Sequence, residues 1–447
     1  MPDEKTGRSR FLRQLRTDLG RLVQVRDGEI QAMLASCAFF FWVLASNYVI
    51  RPLRDEMGVS TGDALSWLFI FTFVGTVLLN PLFGTLVSRF SRRTFIPIVY
   101  RVVAATLLLA YVLLRFLPEA STRPVAQALF VWASVYNLLL VSLFWGFMAD
   151  VFRSEQGKRL FGFIALGGSV GGVAGSSTAS LAPWIGSLNL LLVAAVSLEA
   201  ALFFMRRVAR AAGPEPARAA VATLSPWRGM ADGFRLLAKS RYLQGIALFI
   251  LFYALSSTLL YFEQRDIVGS SIANRDHRTA FFARIDLVTN VLSLVFQGYV
   301  TGRFLPKVGL TAGLLVMPAI SMVGLGLLEA WRSLWLLFAV QVSRRACEYG
   351  LVKPAREVLW TVTTREEKYT AKQLVDVPIY RGGDVVGAWW EKGMTLLGLG
   401  LRGMTITFVP FALVWVGLSF WLGRRQRALA ARRETAEVAA SVEASRA

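Results

Sequence analysis

Cysteine, histidine and acidic residues are scarce in this sequence. Its 447 residues include two cysteines, one histidine, and 29 Asp or Glu against 49 Lys or Arg. Cys37 and Cys347 both lie in apolar segments, which argues against a disulfide framework. The isolated His277 leaves no His/Cys cluster for a metal ion. We therefore predict no metal site and no cofactor.

Charged residues are also few, at 17% of the chain, where a soluble domain carries about 25%. The basic residues lie in short segments between apolar blocks. A nucleic-acid-binding protein would instead gather them on one soluble domain. Membrane topology therefore explains the net charge of +20, and no nucleic-acid partner is predicted. Residues 1–29 are polar and basic and lack the features of a secretory signal.

Apolar segments of about 20 residues, the length needed to cross a bilayer, recur along the chain. We predict an all-α integral membrane protein with about twelve transmembrane helices in two pseudo-symmetric six-helix bundles. The predicted spans are 30–50, 64–87, 94–116, 124–149, 160–185, 187–205, 242–262, 280–302, 309–329, 333–357, 383–402 and 404–423. Glycine or charge interrupts spans five, ten and eleven.

The loops divide the chain and orient it. Most Lys and Arg fall in the N-terminal segment, the even-numbered connections and the tail, which predicts cytoplasmic termini. The Arg- and Ala-rich composition points to a bacterial inner membrane. The predicted parts are a cytoplasmic segment (1–29), a first bundle (30–205), a linker with an amphipathic helix (206–241), a second bundle (242–423) and a basic cytoplasmic tail (424–447).

The connection after span two reads Gly84-Thr-Leu-Val-Ser-Arg89-Phe-Ser-Arg92-Arg93. It resembles the loop motif of the major facilitator superfamily, a glycine followed by a small or acidic residue and spaced arginines. Ser88 and Ser91 stand where that motif usually has Asp and a second Gly. A cytoplasmic loop would carry such arginines in any case.

Four further segments resemble, in matching order, the nucleotide (ATP/ADP) translocases of plastids and intracellular bacteria. They are NYVIRPLRD at 47–55, FWGF at 144–147, YFEQR at 261–265, and EYGLVKPARE at 348–357 with its continuation through Asp376 to Asp384. Arg356 stands where the translocases have lysine, and span four has no acidic residue before Asp150, where they carry one. The resemblance implies a major-facilitator-type fold and a phosphorylated or otherwise anionic solute.

An ionisable side chain within the bilayer costs about 2.5–3.5 kcal/mol or more, so charges in the spans are site candidates. Arg345, Tyr349 and Arg356 recur at helical spacing on one face of span ten. We predict that Arg345 and Arg356 bind the anion, because guanidinium groups hold phosphate or carboxylate with forked hydrogen bonds. Tyr349, on the same face, is included in the predicted binding set.

Other charges of span ten lie at i,i+4 spacing. Arg344 with Glu348 and Lys353 with Glu357 are predicted to neutralise each other. Lys353 is included in the binding set because it precedes Arg356 by one turn. Alternatively, 353–357 is only the cytoplasmic end of the helix.

Three more arginines complete the predicted binding set. Arg51 and Arg54 end span one on the outer side, where arginine is disfavoured unless it has a function. Pro52 is expected to break the helix there, and a solvated loop is the alternative. Arg101 lies in span three without a charge nearby in sequence, and it contacts either substrate or a salt-bridge partner on another helix.

Glu263, Asp286 and Glu391 are predicted to act in coupling or gating. A proton-coupled carrier needs a buried carboxylate that titrates near neutral pH, whereas an exchanger of two anions does not. Asn290 and Gln297 extend a polar stripe from Asp286, which either lines a pore or makes a polar helix contact.

Span five contains a glycine-rich run at 167–177 that lacks the Gly-Lys-Ser/Thr ending of a phosphate-binding loop. Gly168, Gly172 and Gly175 recur at helix-contact spacing and predict close packing against another membrane helix.

Together these features predict a secondary transporter that moves an organic anion, such as a nucleotide, by alternating access. Its cationic cavity is expected between the halves, with Arg51 or Arg54 opposite Arg345 and Arg356. Its other partners would be the lipid bilayer and, in a proton-coupled carrier, protons. A proton-coupled exporter of drugs or metabolites is the alternative within transport. A membrane scaffold or a lipid-modifying enzyme represents other classes, but we find no convincing catalytic set and predict that the protein is not an enzyme.

Overall fold

The structure is a computed structural model that describes residues 29–89, 91–211, 226–296, 309–364 and 366–446. Nearly all of these residues are helical, and no strand occurs among them. The predicted all-α membrane class is thereby confirmed.

Long helices make up the first half of the chain. They are α1 (Glu29–Ser60), α2 (Leu65–Arg89), α3 (Arg92–Phe116), α4 (Glu119–Val151), α5 (Ser154–Ala179) and α6 (Leu190–Ala211). Between α5 and α6 the chain turns at Gly186, whose φ of 80° favours glycine.

The second half is less regular. Its α-helices are α7 (Pro226–Lys239), α8 (Arg241–Ser271), α9 (Arg275–Val295), α10 (Leu310–Ala330), α11 (Leu334–Cys347), α12 (Lys353–Leu359), α13 (Tyr380–Leu396) and α14 (Gly400–Arg446). The described residues of this half include π-helical segments at Glu348–Val352, Glu367–Ala371 and Val375–Ile379. Such segments are rare in proteins and often occur at functional sites.

Eight of the described helices are long and apolar enough to cross a bilayer. The first part of α2, Leu65–Leu79, forms a shorter apolar helix. Predicted spans ten and eleven correspond to α11–α12 and α13, which are not among these helices, and predicted span eight runs past α9 beyond the described residues. The number of twelve spans therefore stays a prediction.

The first helix continues beyond its predicted end. α1 runs to Ser60 with Pro52 inside it, so the expectation that Pro52 breaks the helix is wrong. Proline removes one backbone donor, but the remaining helical hydrogen bonds hold the chain in register. Arg51 and Arg54 consequently lie on a helix.

The chain forms two compact units. Unit 1 consists of Met1–Asp55, Leu86–Ala222 and Thr279–Leu287, and unit 2 of Glu56–Thr85, Thr223–Arg278 and Val288–Ala447, within the limits of the described residues. Relative to the predicted sequence halves, unit 1 gains a segment of α9, and unit 2 gains the end of α1 and most of α2.

In unit 1, α5 packs against α1 through glycines. A Cβ built on Gly167 would lie 2.5 Å from the carbonyl oxygen of Cys37. Cβ atoms on Gly171 and Gly175 would fall on the carbonyl oxygens of Phe41 and Ala45. The glycines at 167, 171 and 175 thus let the two backbones approach closely. The run packs against another helix as predicted, but the backbone contact lies one residue before the predicted Gly168 and Gly172 and shares only Gly175 with the predicted face.

Two segments outside the predicted bundles are helical. The amphipathic helix forms as α7, and a Cβ on its Gly233 would lie 3.3 Å from the carbonyl oxygen of Thr370. One face of α7 therefore packs on protein, while Phe234 stays exposed. α14 continues past the last span to Arg446 as one 47-residue helix.

Candidate functional site

Two predicted site residues meet in unit 1. Nε of Arg51 on α1 lies 3.7 Å from Oδ2 of Asp286 on α9, and Asp286 is only 1% exposed. The Arg51 guanidinium also lies 5.7 Å from the centre of the Tyr48 ring. A predicted binding arginine and a predicted coupling carboxylate thus compensate each other.

Arg54 forms an ion pair with its neighbour Asp55. Its guanidinium lies 5.6 Å from the centre of the Phe130 ring and 3.5 Å from Oγ of Ser134, both on α4. The alternative of a solvated loop for Arg51 and Arg54 is therefore wrong, because the helix directs both side chains towards neighbouring helices.

Arg101 has a partner on another helix. Its Nε lies 3.3 Å from Oε1 of Glu199 on α6, and the two side chains are 52% and 53% exposed. This contact favours the salt-bridge alternative over substrate contact. The partner was not evident from sequence because Glu199 lies almost a hundred residues away.

The loop motif lies at the junction of α2 and α3. Arg93 is half-buried there. The structure describes the helical backbone at Gly84, Arg89 and Arg92 but not the environment of these residues. Gln297 of the predicted polar stripe lies outside the described residues. The role of the motif stays a prediction.

The other two predicted coupling carboxylates lie in unit 2, each near an arginine. Oε2 of the buried Glu263 accepts a hydrogen bond of 3.0 Å from Arg332, which lies on the turn between α10 and α11. Oε1 of Glu391 on α13 lies 3.6 Å from Nη2 of Arg265 on α8. Their roles in coupling stay predictions.

The predicted ion pairs of span ten are wrong. Glu348 accepts a hydrogen bond of 3.0 Å from Nη1 of Arg356 and not from Arg344. Glu357 pairs with Lys372 at 2.6 Å, while Lys353 is exposed. Both carboxylates thus have partners outside the i,i+4 spacing. Glu348 binds Arg356, eight residues further along, and Glu357 binds Lys372 on the following segment.

Two arginines of unit 2 lie close to the same tyrosine ring. The Cζ atoms of Arg344 and Arg356 lie 5.0 and 5.8 Å from the centre of the Tyr253 ring on α8. The ring of Tyr380, which begins α13, lies 5.8 Å from that of Tyr253. We call Tyr253, Arg344, Glu348, Arg356 and Tyr380 the Tyr253 cluster.

Within the cluster, Arg344 is held entirely by neutral groups. Its side chain is 4% exposed. It donates to the hydroxyls of Ser256, Ser257 and Ser321 at 2.9, 3.0 and 3.4 Å, and to the Tyr253 carbonyl at 3.3 Å. No carboxylate of the described chain forms an ion pair with it. A buried cation surrounded by hydroxyls can attract a negative guest.

Sequence reasoning missed Arg344 because Glu348 lies four residues on and suggested a pair. The serines at 256 and 257 were the available signal, since adjacent hydroxyls in an apolar span often serve polar contacts. Arg345 and Tyr349 are half-buried on the same helical run. Their predicted roles as anion ligands stay predictions.

Relatives of the chain point to one family. Residues 128–329 match the family model described as TLC ATP/ADP transporter. The ADP,ATP carrier protein 1 of Chlamydia pneumoniae is 23% identical over 336 residues, covering 66% of this chain and 65% of that protein. The ADP,ATP carrier protein 2 of Chlamydia trachomatis serovar D is 22% identical over 473 residues, covering 88% and 87%.

Solved structures agree on the fold. A bacterial homologue of the human lysosomal transporter Spinster has a TM-score of 0.60 at 14% identity, covering 91% of this chain and 99% of its own. The nucleoside transporter NupG has a TM-score of 0.61 at 15% identity, covering 90% and 100%. The chain therefore shares the fold of these transporters, and over part of its length it is similar to the ATP/ADP transporter family.

The chain spans 65% of the length of the ADP,ATP carrier protein 1 of Chlamydia pneumoniae. The kinship confirms the resemblance drawn from the segments at 47–55, 144–147, 261–265 and 348–357.

Proposed function

We propose that this protein is a secondary transporter that moves an anionic organic solute across a membrane by alternating access, with nucleotides as the favoured class. The kinship with carriers named for ADP and ATP supports the substrate class. The proposal includes a bacterial inner membrane with both termini in the cytoplasm, which the distribution of basic loops favours.

The observation that carries the proposal is the state of Arg344. Its charge is buried among three serine hydroxyls and a carbonyl oxygen, with no ion-pair partner in the described part of the chain. Uncompensated charge of this kind is costly within a membrane protein and is typically kept for ions or substrates. Serine hydroxyls can also donate to phosphate or carboxylate oxygens.

We expect Arg344→Gln to reduce the counterflow of labelled ATP about tenfold to a hundredfold, because a hydrogen bond to a charged group contributes about 1.5–3 kcal/mol. Glutamine keeps a hydrogen-bonding side chain at this position, but it is shorter than arginine and carries no charge. The measurement uses proteoliposomes preloaded with unlabelled ATP, ADP, phosphate or a dicarboxylate.

The matched control is Arg101→Gln, which removes an exposed arginine paired with Glu199 and is expected to leave counterflow unchanged. Full counterflow by Arg344→Gln would remove Arg344 from the site. Wild-type protein that moves adenosine but none of these anions would contradict anion transport altogether.

A further inference from the structure

Arg356 lies between two carboxylates that hold it unequally. Its Nη1 donates to the buried Glu348 at 3.0 Å. Its Nη2 lies 3.6 Å from Oδ1 of Asp376, which is longer than a good hydrogen bond. The Asp376 side chain is 35% exposed and therefore reaches water. Asp376 is the partner that Arg356 can release at lower cost.

Arg356 already lies against two carboxylates, Glu348 and Asp376. An anion that binds its guanidinium must therefore displace one of these carboxylates or bring a compensating cation with it.

We propose that the entering anion takes Arg356 from Asp376 and that Asp376 then binds a proton, so that each anion moves together with one proton. This inference rests on the proposed anion transport. The charges balance, because the proton taken up neutralises the carboxylate that lost its guanidinium. When the anion leaves, Asp376 releases the proton and pairs with Arg356 again, which restores the empty state.

The surroundings of Asp376 suit this role. Burial raises the pKa of its carboxyl, Arg356 opposes this rise most strongly, Lys372 and Lys353 oppose it less, and Glu357 adds to it. When Arg356 turns to the anion, the largest opposing influence is lost and the pKa rises further. Proton uptake is therefore favoured as the pH falls, and in the loaded state more than in the empty state.

The position of Asp376 in the backbone also suits a partner that moves. It lies in the π-helical segment Val375–Ile379, and Glu348 begins the π-helical segment Glu348–Val352. Both carboxylates therefore lie in π-helical turns, which are rare in proteins and frequent at functional sites.

The test is accumulation of labelled ATP in proteoliposomes that contain no nucleotide, with an acidic exterior and the membrane potential clamped. One proton per anion lets a gradient of one pH unit drive about a tenfold accumulation in the wild type. Asp376→Asn is expected to lose this accumulation. It should still perform counterflow with a lower KM, because the anion no longer competes with a carboxylate at position 376 for Arg356.

Glu357→Gln is the matched control, since Glu357 is an exposed carboxylate near Asp376 that pairs with Lys372. It should keep both activities. Gradient-driven accumulation by Asp376→Asn at the wild-type level would overturn the proposal. So would loss of its counterflow, which would make Asp376 a structural or binding residue.

The two proposals fail in different ways. Wild-type counterflow without a response to the pH gradient would overturn proton coupling alone. Absence of wild-type counterflow for every anion tested would overturn anion transport itself.

Discussion

Uptake of labelled ATP is expected to fall about tenfold to a hundredfold in Arg356→Ala, because a hydrogen bond from a charged group to the anion contributes about 1.5–3 kcal/mol. Removing one partner of the buried ion pair with Glu348 is expected to lower the stability of the protein as well, by about 3–5 kcal/mol. The substitution removes a cation from the Tyr253 cluster. It also leaves Glu348 buried without its guanidinium, and Oε2 of Glu348 already has no hydrogen-bond partner among the described residues. Uptake into proteoliposomes at matched protein content measures the loss.

Arg356→Lys distinguishes charge from geometry. Arg356 uses Nη1 for Glu348 and Nη2 for Asp376, so its planar fork serves two carboxylates at once. A lysine ammonium is a single point charge on a flexible stem and cannot reproduce this fork. We expect little uptake in the lysine variant, and strong uptake would mean that charge alone suffices.

The control for both variants is Arg235→Ala, which removes an exposed arginine of α7 paired with Asp232 and should keep normal uptake. The double variant Arg356→Ala with Glu348→Ala removes both charges. It is expected to recover the stability lost in Arg356→Ala but not the uptake. Normal uptake in Arg356→Ala would exclude Arg356 from the transport site.

Hydropathy located the regular helices well where apolar runs have clear ends. The predicted span 309–329 became α10, Leu310–Ala330, because Gly309 precedes the run and Trp331 follows it. The predicted first span ended too early, at residue 50, because the charged Arg51 follows it in the sequence. The backbone hydrogen bonds of α1 continue past Arg51 to Ser60 regardless of side-chain polarity.

Partners on other helices could not be predicted. The i,i+4 rule suggested that Arg344 and Glu348 neutralise each other, yet Arg356 binds Glu348 and the hydroxyls of α8 bind Arg344. The rule identifies neighbours on the same helix, but it does not include charged or polar groups on other segments that can bind the same side chain. Arg51 with Asp286 and Arg101 with Glu199 are contacts of the same long-range kind.

The π-helical turns were also beyond the sequence. Patterns with a period of 3.6 residues predict α-helix, and nothing in the composition of 348–352 or 375–379 indicates a widened turn. Glu348 and Asp376 both lie in these turns. The identity of the charged residues at the site could thus be read from sequence, but their pairing could not.

Gly171→Leu is expected to abolish production of folded protein. A Cβ at this position would fall on the carbonyl oxygen of Phe41, which is backbone and cannot move aside as a flexible side chain can. The neighbouring contacts of Gly167 and Gly175 hold α5 against α1 on both sides of this point. The helices must therefore separate along the whole stripe, and the cost exceeds the about 1–3 kcal/mol of ordinary overpacking.

Gly162→Leu provides the matched control on the same helix. Gly162 is exposed, and a Cβ there would meet nothing within 4 Å. Replacing a helical glycine at such a site should keep or slightly raise stability, because glycine is about 0.8–1.0 kcal/mol less favourable than alanine in a helix. Yield of monodisperse protein in detergent and its Tm measure both variants. Equal yield and Tm for the two would mean that α5 does not need this close approach to α1.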